Sequence, residues 1–116
     1  MKNFSKIGIK EDARTELHDS LKLTGAEISV NVLPAGTSVP FVHSHRQNEE
    51  IYIILRGEGT AVIDGENIGI KEGDCLRLSP SAKRRFFASA KNSLKYICVQ
   101  VKADSLEGYT TSDAII

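Results

Sequence analysis

The sequence has no tryptophan, few prolines, cysteines and methionines, and no long apolar run. Its longest wholly apolar stretch, residues 51–55, is far shorter than the roughly 20 residues that a membrane-spanning helix needs. Neither sign of charge is in excess, since 15 basic residues balance 15 acidic residues. A neutral chain has no general attraction for nucleic acid or for anionic lipid, so the composition predicts neither partner.

The two cysteines, Cys75 and Cys98, are far apart and match neither a zinc-finger spacing nor a CxxC redox motif. This predicts two small, buried, apolar side chains, as is usual in intracellular proteins. The first residues are charged and do not form the apolar stretch of a signal peptide. We therefore expect a cytoplasmic protein of one domain, residues 1–116, because this length is near the usual domain size.

The middle of the chain has the pattern of short β-strands. Ile28, Val30 and Val32 occupy alternate positions, which is typical of a half-buried strand. The turn-forming pair Asp64-Gly65 predicts a hairpin, and residues 56–59 are expected to form another turn. The expected strands are residues 26–33, 39–45, 50–55, 60–63, 67–70, 75–78, 84–88 and 94–101. Many short strands between turns indicate an all-β sandwich or barrel.

The two ends of the chain have weaker patterns than the expected barrel core, which covers about residues 26–101. Within residues 1–25 the pattern leaves two alternatives, a strand around Ile7 and Ile9 or a helical turn over residues 12–17. The polar tail, residues 102–116, is expected to be a loop or a short helix. Both ends are therefore expected to flank the barrel.

The histidines near the middle of the chain indicate a metal site. His43 and His45 lie two residues apart, so in an extended segment their imidazoles point to the same side. Glu49 and Glu50 follow at the start of the next expected strand, where a carboxylate can reach the same point. Two imidazoles and one carboxylate bind Zn, Ni, Mn or Fe(II) and leave coordination positions open. Strand parity alone does not select between the two glutamates.

This part of the chain resembles the first motif of the cupin superfamily. His43 and His45 match its histidine pair, and Glu50 and Gly57 stand at the positions of its glutamate and closing glycine. The number of residues between the motif's glutamate and its closing glycine selects Glu50 over Glu49. The leading Gly36 is one residue further from His43 than in the usual motif. The resemblance implies a double-stranded β-helix, or jelly-roll barrel, with a ligand site inside it. It also implies a homodimer that forms through the N-terminal strands and the sheet surface.

A second, less regular resemblance covers the end of the barrel. Gly73 and residues 79–81 line up on the second cupin motif, but Arg84 stands where that motif has a metal-binding histidine. A shift of one residue would place Arg85 there instead. Arginine has no lone pair to offer a metal ion. In one alternative, three ligands and water hold the metal while Arg84 turns aside. In the other, Arg84 enters the cavity and binds an anionic substrate. The two can coexist if the anion bridges the metal ion and Arg84.

Three further side chains near these motifs have alternative interpretations, and one histidine lies away from them. Tyr52 shares a strand face with Glu50, so it either lines the cavity as a substrate-binding residue or packs in the core. Gln47 either orients a ligand histidine or contacts a substrate, and Glu49 is either a solvated turn residue or a partner of a ligand histidine. His18 has no partner in register and is expected to be exposed.

Three functions are compatible with these residues. The first is a metal-dependent isomerase, lyase or dioxygenase that acts on a small polar or anionic metabolite. The second is a non-catalytic sensor or binding module for a small molecule, with or without a metal ion. The third is a metal-free enzyme like the sugar epimerases among the cupins, with His43 or His45 as its base. A fold of this kind supports many chemistries and does not choose among them.

Overall fold

The computed structural model describes residues 2–116, and nearly all of their regular structure is β-strand. The strands are β1 (Arg14–Glu16), β2 (Glu27–Leu33), β3 (Asn48–Ile63), β4 (Glu66–Lys71), β5 (Cys75–Leu78), β6 (Arg84–Ala88) and β7 (Leu94–Lys102). The helices are a single turn, α1 (His18–Leu21), and a short 3-10 helix (Thr110–Ser112). None of the helices described over this range is long and apolar enough to cross a membrane.

The strands form two sheets that share the long strand β3. In the first sheet the order is β1-β2-β7-β3-β5, and in the second sheet β3 lies between β4 and β6. All of these pairings are antiparallel. Ser38 and His43 form single bridges to β6 and extend the second sheet. The result is a jelly-roll, and over residues 2–116 the ladders do not close into a complete ring.

Strand β3 passes from the first sheet to the second at Gly57. A β-bulge between Ile54 and Arg56 bends the strand, and Gly57 has a φ of 86°. A Cβ at Gly57 would overlap the backbone oxygen of Ser93. The sequence prediction of a turn over residues 56–59 was therefore wrong, because the bulge and the glycine bend one continuous strand. At this bend the pairing of the strand changes from β7 to β4 and β6.

The N-terminal prediction was also wrong in its positions. Ile7 and Ile9 lie outside the strands and are exposed. The strand lies instead at β1, whose Thr15 pairs with Val30 of β2. This short strand forms because it pairs with the free edge of β2. Since the pairing depends on a distant segment, the residues of β1 do not themselves show the alternation of a strand.

The core lies between the two sheets. Ile54, Ala61, Phe86 and Leu94 are almost completely buried there. The ring of Tyr52 stacks on that of Phe86 with centroids 4.2 Å apart. Tyr52 and Phe86 also line the cavity described below, so they form the boundary between the packed core and the hollow part of the fold.

The two cysteines differ in burial, and the prediction for Cys75 was wrong. Cys98 is buried, but Cys75 is exposed. Cys75 and Arg77 lie on the outer face of β5, and the intervening Leu76 packs against the core. Strand alternation therefore places the Cys75 thiol on the outer face of β5, which is open to solvent.

Candidate metal centre

The register of the first sheet places Glu50 on its inner face. Glu50 lies opposite Gln100, and Tyr52 lies opposite Cys98, so all four side chains share that face. The Glu50 residue is only 2% exposed. Glu49 points to the other face, where its carboxylate lies 3.9 Å from Arg77. The structure thus separates the two glutamates that strand parity alone left open.

The two histidines lie on a segment that the backbone of β6 and of the turn before it holds in place. The amide and carbonyl of His43 form hydrogen bonds of 3.1 and 3.0 Å with Arg84, and the amide of His45 donates to Pro80 O over 2.8 Å. His45 Nε2 lies 3.1 Å from Glu50 Oε2, and His43 Nε2 lies 3.9 Å from Oε1. One possible ligand atom from each of the three residues falls within 4.8 Å of the others. The structure therefore brings the predicted ligand set together.

Each carboxylate oxygen of Glu50 has its own partners. Oε1 accepts hydrogen bonds from Tyr52 Oη and Arg84 Nη1, both over 2.7 Å. Oε2 lies 3.2 Å from the thiol of Cys98 and next to His45. Tyr52 and Arg84 thus fix the rotation of the carboxylate, and they leave Oε2 facing the imidazole of His45.

Arg84 is directed into the protein and is completely buried. Its Nε donates to Ala82 O over 2.9 Å, and its Nη2 donates to Ser79 O over 2.7 Å and to Pro80 O over 3.4 Å. With the bond to Glu50, the guanidinium is largely occupied by protein atoms. This arrangement compensates the buried charge of Arg84, as a buried ion pair requires. Contact of Arg84 with a substrate stays a prediction.

Burial and hydrogen bonding hold two pKa values of the site below their ordinary values. Burial alone disfavours the Glu50 carboxylate, but hydrogen bonds from Tyr52, Cys98 and Arg84 outweigh it and hold the pKa of Glu50 below its ordinary value. Burial lowers the pKa of His43, and the Arg84 charge adds to this while Glu50 opposes it. The native site therefore favours an ionised carboxylate and a neutral His43, which are the forms that bind metal ions.

Three neighbouring acids remain protonated. Burial raises the pKa of Tyr96 to about 12. Burial also raises the pKa of Tyr52 and of Cys98, and the charge of Glu50 adds to both shifts. Tyr52 and Cys98 therefore act as hydrogen-bond donors to Glu50. Sequence reasoning did not identify Cys98 as a partner of this site, because its place opposite Tyr52 depends on the pairing of β3 with β7.

Two other residues from the sequence analysis lie away from the centre. Gln47 is exposed, and its backbone oxygen accepts from Ala103 N over 2.9 Å. Its substrate-binding role stays a prediction, although its side chain does not line the cavity. His18, which was expected to be exposed, is half exposed, and its ring lies 2.8 Å from Asp19.

A cavity of about 720 Å³ opens beside the three candidate ligands. His43, His45, Glu50 and Arg84 line it on one side. Much of the remaining wall is hydrocarbon, from Val32, Leu33, Pro34, Val39, Pro40 and Phe41. Pockets of this size commonly hold small molecules.

The model of the Cupin domain family matches residues 29–100, which include all of the candidate ligands and Arg84. The match covers well over half of the chain, so the protein belongs to the cupin family. The fold described above is accordingly a cupin jelly-roll.

Individual relatives agree with this membership. The crystal structure of a cupin protein from Bacteroides fragilis is 57% identical, with a TM-score of 0.97, and the match covers 100% of this chain and 98% of that one. A predicted oxalate decarboxylase from Thermotoga maritima is 29% identical, with a TM-score of 0.61, over 65% of this chain and 64% of that one. An uncharacterised protein of Methanocaldococcus jannaschii is 29% identical over 90 residues, which are 78% of this chain and 69% of the relative.

Proposed function

We propose that this cupin binds a divalent transition metal ion through His43, His45 and Glu50 and that it binds or transforms a small anionic metabolite beside the ion. The observation that carries the proposal is the convergence of three donor atoms within 4.8 Å at the wall of a cavity. The ion would be Zn, Ni, Mn or Fe, which accept imidazole and carboxylate together.

The geometry of His45 and Glu50 fits such an ion. Ligands that each lie about 2.1 Å from a metal are roughly 3.0 to 3.4 Å apart at right or tetrahedral angles. The distance of 3.1 Å between His45 Nε2 and Glu50 Oε2 falls in this range. Among residues 2–116, His43 Nδ1 is the one buried side-chain nitrogen or oxygen atom without a hydrogen-bond partner. The imidazole of His43 therefore keeps one nitrogen that no protein atom among these residues occupies.

The contribution of Arg84 is to orient Glu50 at a cost in metal affinity. Its guanidinium and Tyr52 hold Oε1, so the carboxylate presents Oε2 to the centre. The same positive charge repels a cation, so we expect weaker metal binding than in a site with a fourth ligand. A bound ion would polarise a carbonyl group or activate water at its open positions.

The reaction class is proposed to be that of an isomerase, a lyase or a dioxygenase. The name of the Thermotoga maritima relative, a predicted oxalate decarboxylase, supports a carboxylate as the ligand and a lyase among these classes. The apolar cavity wall excludes bulk water from part of the site, which strengthens electrostatic interactions with a bound substrate.

A second candidate function is a metal-free module that binds a small molecule without transforming it. The observation that favours it is the set of contacts around Glu50. Tyr52, Arg84, Cys98 and His45 all lie within hydrogen-bond distance of the carboxylate, and Arg84 balances its charge. The carboxylate is therefore satisfied by protein atoms alone. No observation favours the epimerase-like alternative over these two functions.

Metal analysis of the purified protein separates the two candidates. The protein is loaded in turn with Zn, Ni, Mn and Fe(II), desalted and analysed by inductively coupled plasma mass spectrometry. We expect a stoichiometric ion in the wild type and in the control His18→Ala, and its loss in His43→Ala and His45→Ala. Retention of the ion in His45→Ala would remove the proposed site. A wild type that holds none of the four ions would favour the metal-free module.

A further inference from the structure

We infer that the cavity takes an amphipathic organic carboxylate, with the anionic group bound by Arg14 and the apolar body lying against the hydrocarbon wall. The inference rests on the proposed function, because it names the ligand class for the same cavity. It replaces Arg84, the arginine that the sequence suggested, with a residue of β1 as the anion-binding group.

The sheet register directs Arg14 towards the cavity. Arg14 lies opposite Asn31 of β2, and Asn31 lies opposite Tyr96 of β7. Directly opposed residues share a face of the sheet, and Tyr96 is buried on the inner face. The side chains of all three residues line the cavity. Arg14 is thus at the edge of the first sheet but on its inner side.

A buried polar pair positions the guanidinium of Arg14. Its Nη1 donates to Asn31 Oδ1 over 2.8 Å, and Asn31 Nδ2 donates to Ser29 Oγ over 3.0 Å. Asn31 and Ser29 are only 5% and 3% exposed. Ser29 therefore fixes the amide of Asn31 with its oxygen towards Arg14. A group held in this way loses less conformational freedom when a ligand binds.

Arg14 makes fewer hydrogen bonds to protein atoms than Arg84, and one of its two bonds is longer than either bond of Arg85. Arg84 is occupied as described above. Arg85 donates to Val39 O and Ser38 Oγ over 2.8 and 3.0 Å. The side chain of Arg14 is 50% exposed, and besides the bond to Asn31 it has only a longer contact of 3.4 Å, with Glu16. A carboxylate at the cavity edge can therefore accept hydrogen bonds from Arg14.

The charge of Arg14 also acts across the cavity. Burial has the largest effect on the pKa of Tyr96 and raises it, and the Arg14 charge acts in the opposite direction and lowers it. The guanidinium thus contributes a positive potential to the space between the two sheets. This potential attracts an anion into the cavity.

The cavity wall selects the rest of the ligand. The aliphatic and proline side chains of Val32, Leu33 and Pro34 follow Asn31 along the chain, and Val39, Pro40 and Phe41 line the cavity from the other segment. A sugar phosphate would need hydrogen-bond partners along its length, which hydrocarbon cannot supply. A carboxylate on an aliphatic or aromatic body would instead bury that body against the wall.

Calorimetric titration with three probes tests the inference. Hydrocinnamate carries both an aromatic body and a carboxylate, hydrocinnamamide is its neutral counterpart, and propanoate lacks the aromatic body. We expect the wild type to bind hydrocinnamate at least about tenfold more tightly than either of the other two. Arg14→Met should lose about tenfold in affinity for hydrocinnamate and should bind the amide unchanged. Arg14→Lys, which keeps the charge and loses the planar fork, should fall between them.

The matched control is Arg77→Met, which removes an arginine from the outer face of the same sheet. It should bind hydrocinnamate as the wild type does. Each titration is repeated on metal-free protein and on His45→Ala, so that loss of the metal is measured separately from loss of the anion site. Equal binding of the acid and the amide to the wild type would overturn the inference whatever the metal content. So would equal binding of hydrocinnamate to Arg14→Met and the wild type.

Discussion

Arg84 Nη1 donates to Glu50 Oε1 over 2.7 Å, and the two side chains are 0% and 3% exposed. The pair joins the glutamate of the first cupin motif to the residue that stands at the histidine position of the second. A buried ion pair contributes little net stability, but removal of one partner leaves an uncompensated charge in the interior. The fold and the chemistry of this site therefore depend on the same two residues.

We expect Arg84→Met to lower the free energy of unfolding by about 3–5 kcal/mol, because Glu50 is then buried without its counter-charge. The double variant Arg84→Met/Glu50→Gln should recover part of this loss, since no isolated charge remains. Urea denaturation followed by circular dichroism measures both values. The control Arg77→Met should change stability by no more than about 0.5 kcal/mol. A loss in Arg84→Met as small as that in the control would contradict the role given to this pair.

Arg84→His should strengthen metal binding. The substitution removes a positive charge and supplies an imidazole at the position where the second cupin motif has a ligand. We expect the zinc dissociation constant to fall by at least about tenfold, measured by competition with a chromophoric chelator. Arg77→His adds a histidine outside the site and should leave the constant unchanged. An unchanged constant in a folded Arg84→His protein would mean that residue 84 does not face the ion.

Acid should destabilise the metal-free protein in two stages. The pKa of His43 is lowered in the native state, so below its ordinary value of 6.5 the unfolded chain binds more protons and stability falls. The pKa of Glu50 is also lowered, so a further loss begins as the pH falls below the ordinary value of 4.5. Urea denaturation over a pH series measures both stages.

The histidines provide the control for this pH series. His43→Gln should remove the first stage of the decline. His18→Gln should leave it in place, because hydrogen bonding to Asp19 raises the pKa of His18, and a raised pKa stabilises the native state at low rather than high pH. A decline that persists unchanged in His43→Gln would show that another group causes it.

Gly57→Ala should destabilise the protein more than a glycine substitution in an open turn. Gly57 and Gly65 both have positive φ, which costs an L-residue about 1–2 kcal/mol. A Cβ at Gly57 would also meet Ser93, whereas a Cβ at Gly65 would have no neighbour within 4 Å. We expect a loss of about 1–2 kcal/mol for Gly65→Ala and a loss larger by at least about 1 kcal/mol for Gly57→Ala, measured by thermal unfolding. Equal losses would show that the backbone relaxes away from Ser93.

The candidate ligands could be predicted because they depend on local spacing. His43 and His45 are two residues apart in an extended segment, and the interval from Glu50 to Gly57 matched a known motif. The partners of Glu50 could not be predicted in the same way. The proximity of Cys98 to Glu50 results from the pairing of two strands that are distant in the sequence. A register of that kind is set by the whole sheet and leaves no signal in a single segment.

The predictions for edges and ends were the least accurate for the same reason. The strand β1 exists because of its pairing with β2, and Cys75 is exposed because the outer face of β5 is open to solvent. The ion pair of Arg84 with Glu50 also joins two strands that the sequence alone does not align. The homodimer stays a prediction because the structure describes a single chain. The cytoplasmic location also stays a prediction, because a fold does not identify a cellular compartment.

The sharing of β3 between the two sheets has a consequence for cooperativity. Its first half carries Glu50, and Ile63 at its far end lies opposite Arg84. Any opening fluctuation that detaches β3 would therefore break ladders in both sheets and separate the two buried charges in a single event. We expect the amides of β3 and β6 to exchange hydrogen only through global unfolding of the domain. The site would then be lost only when the whole domain unfolds.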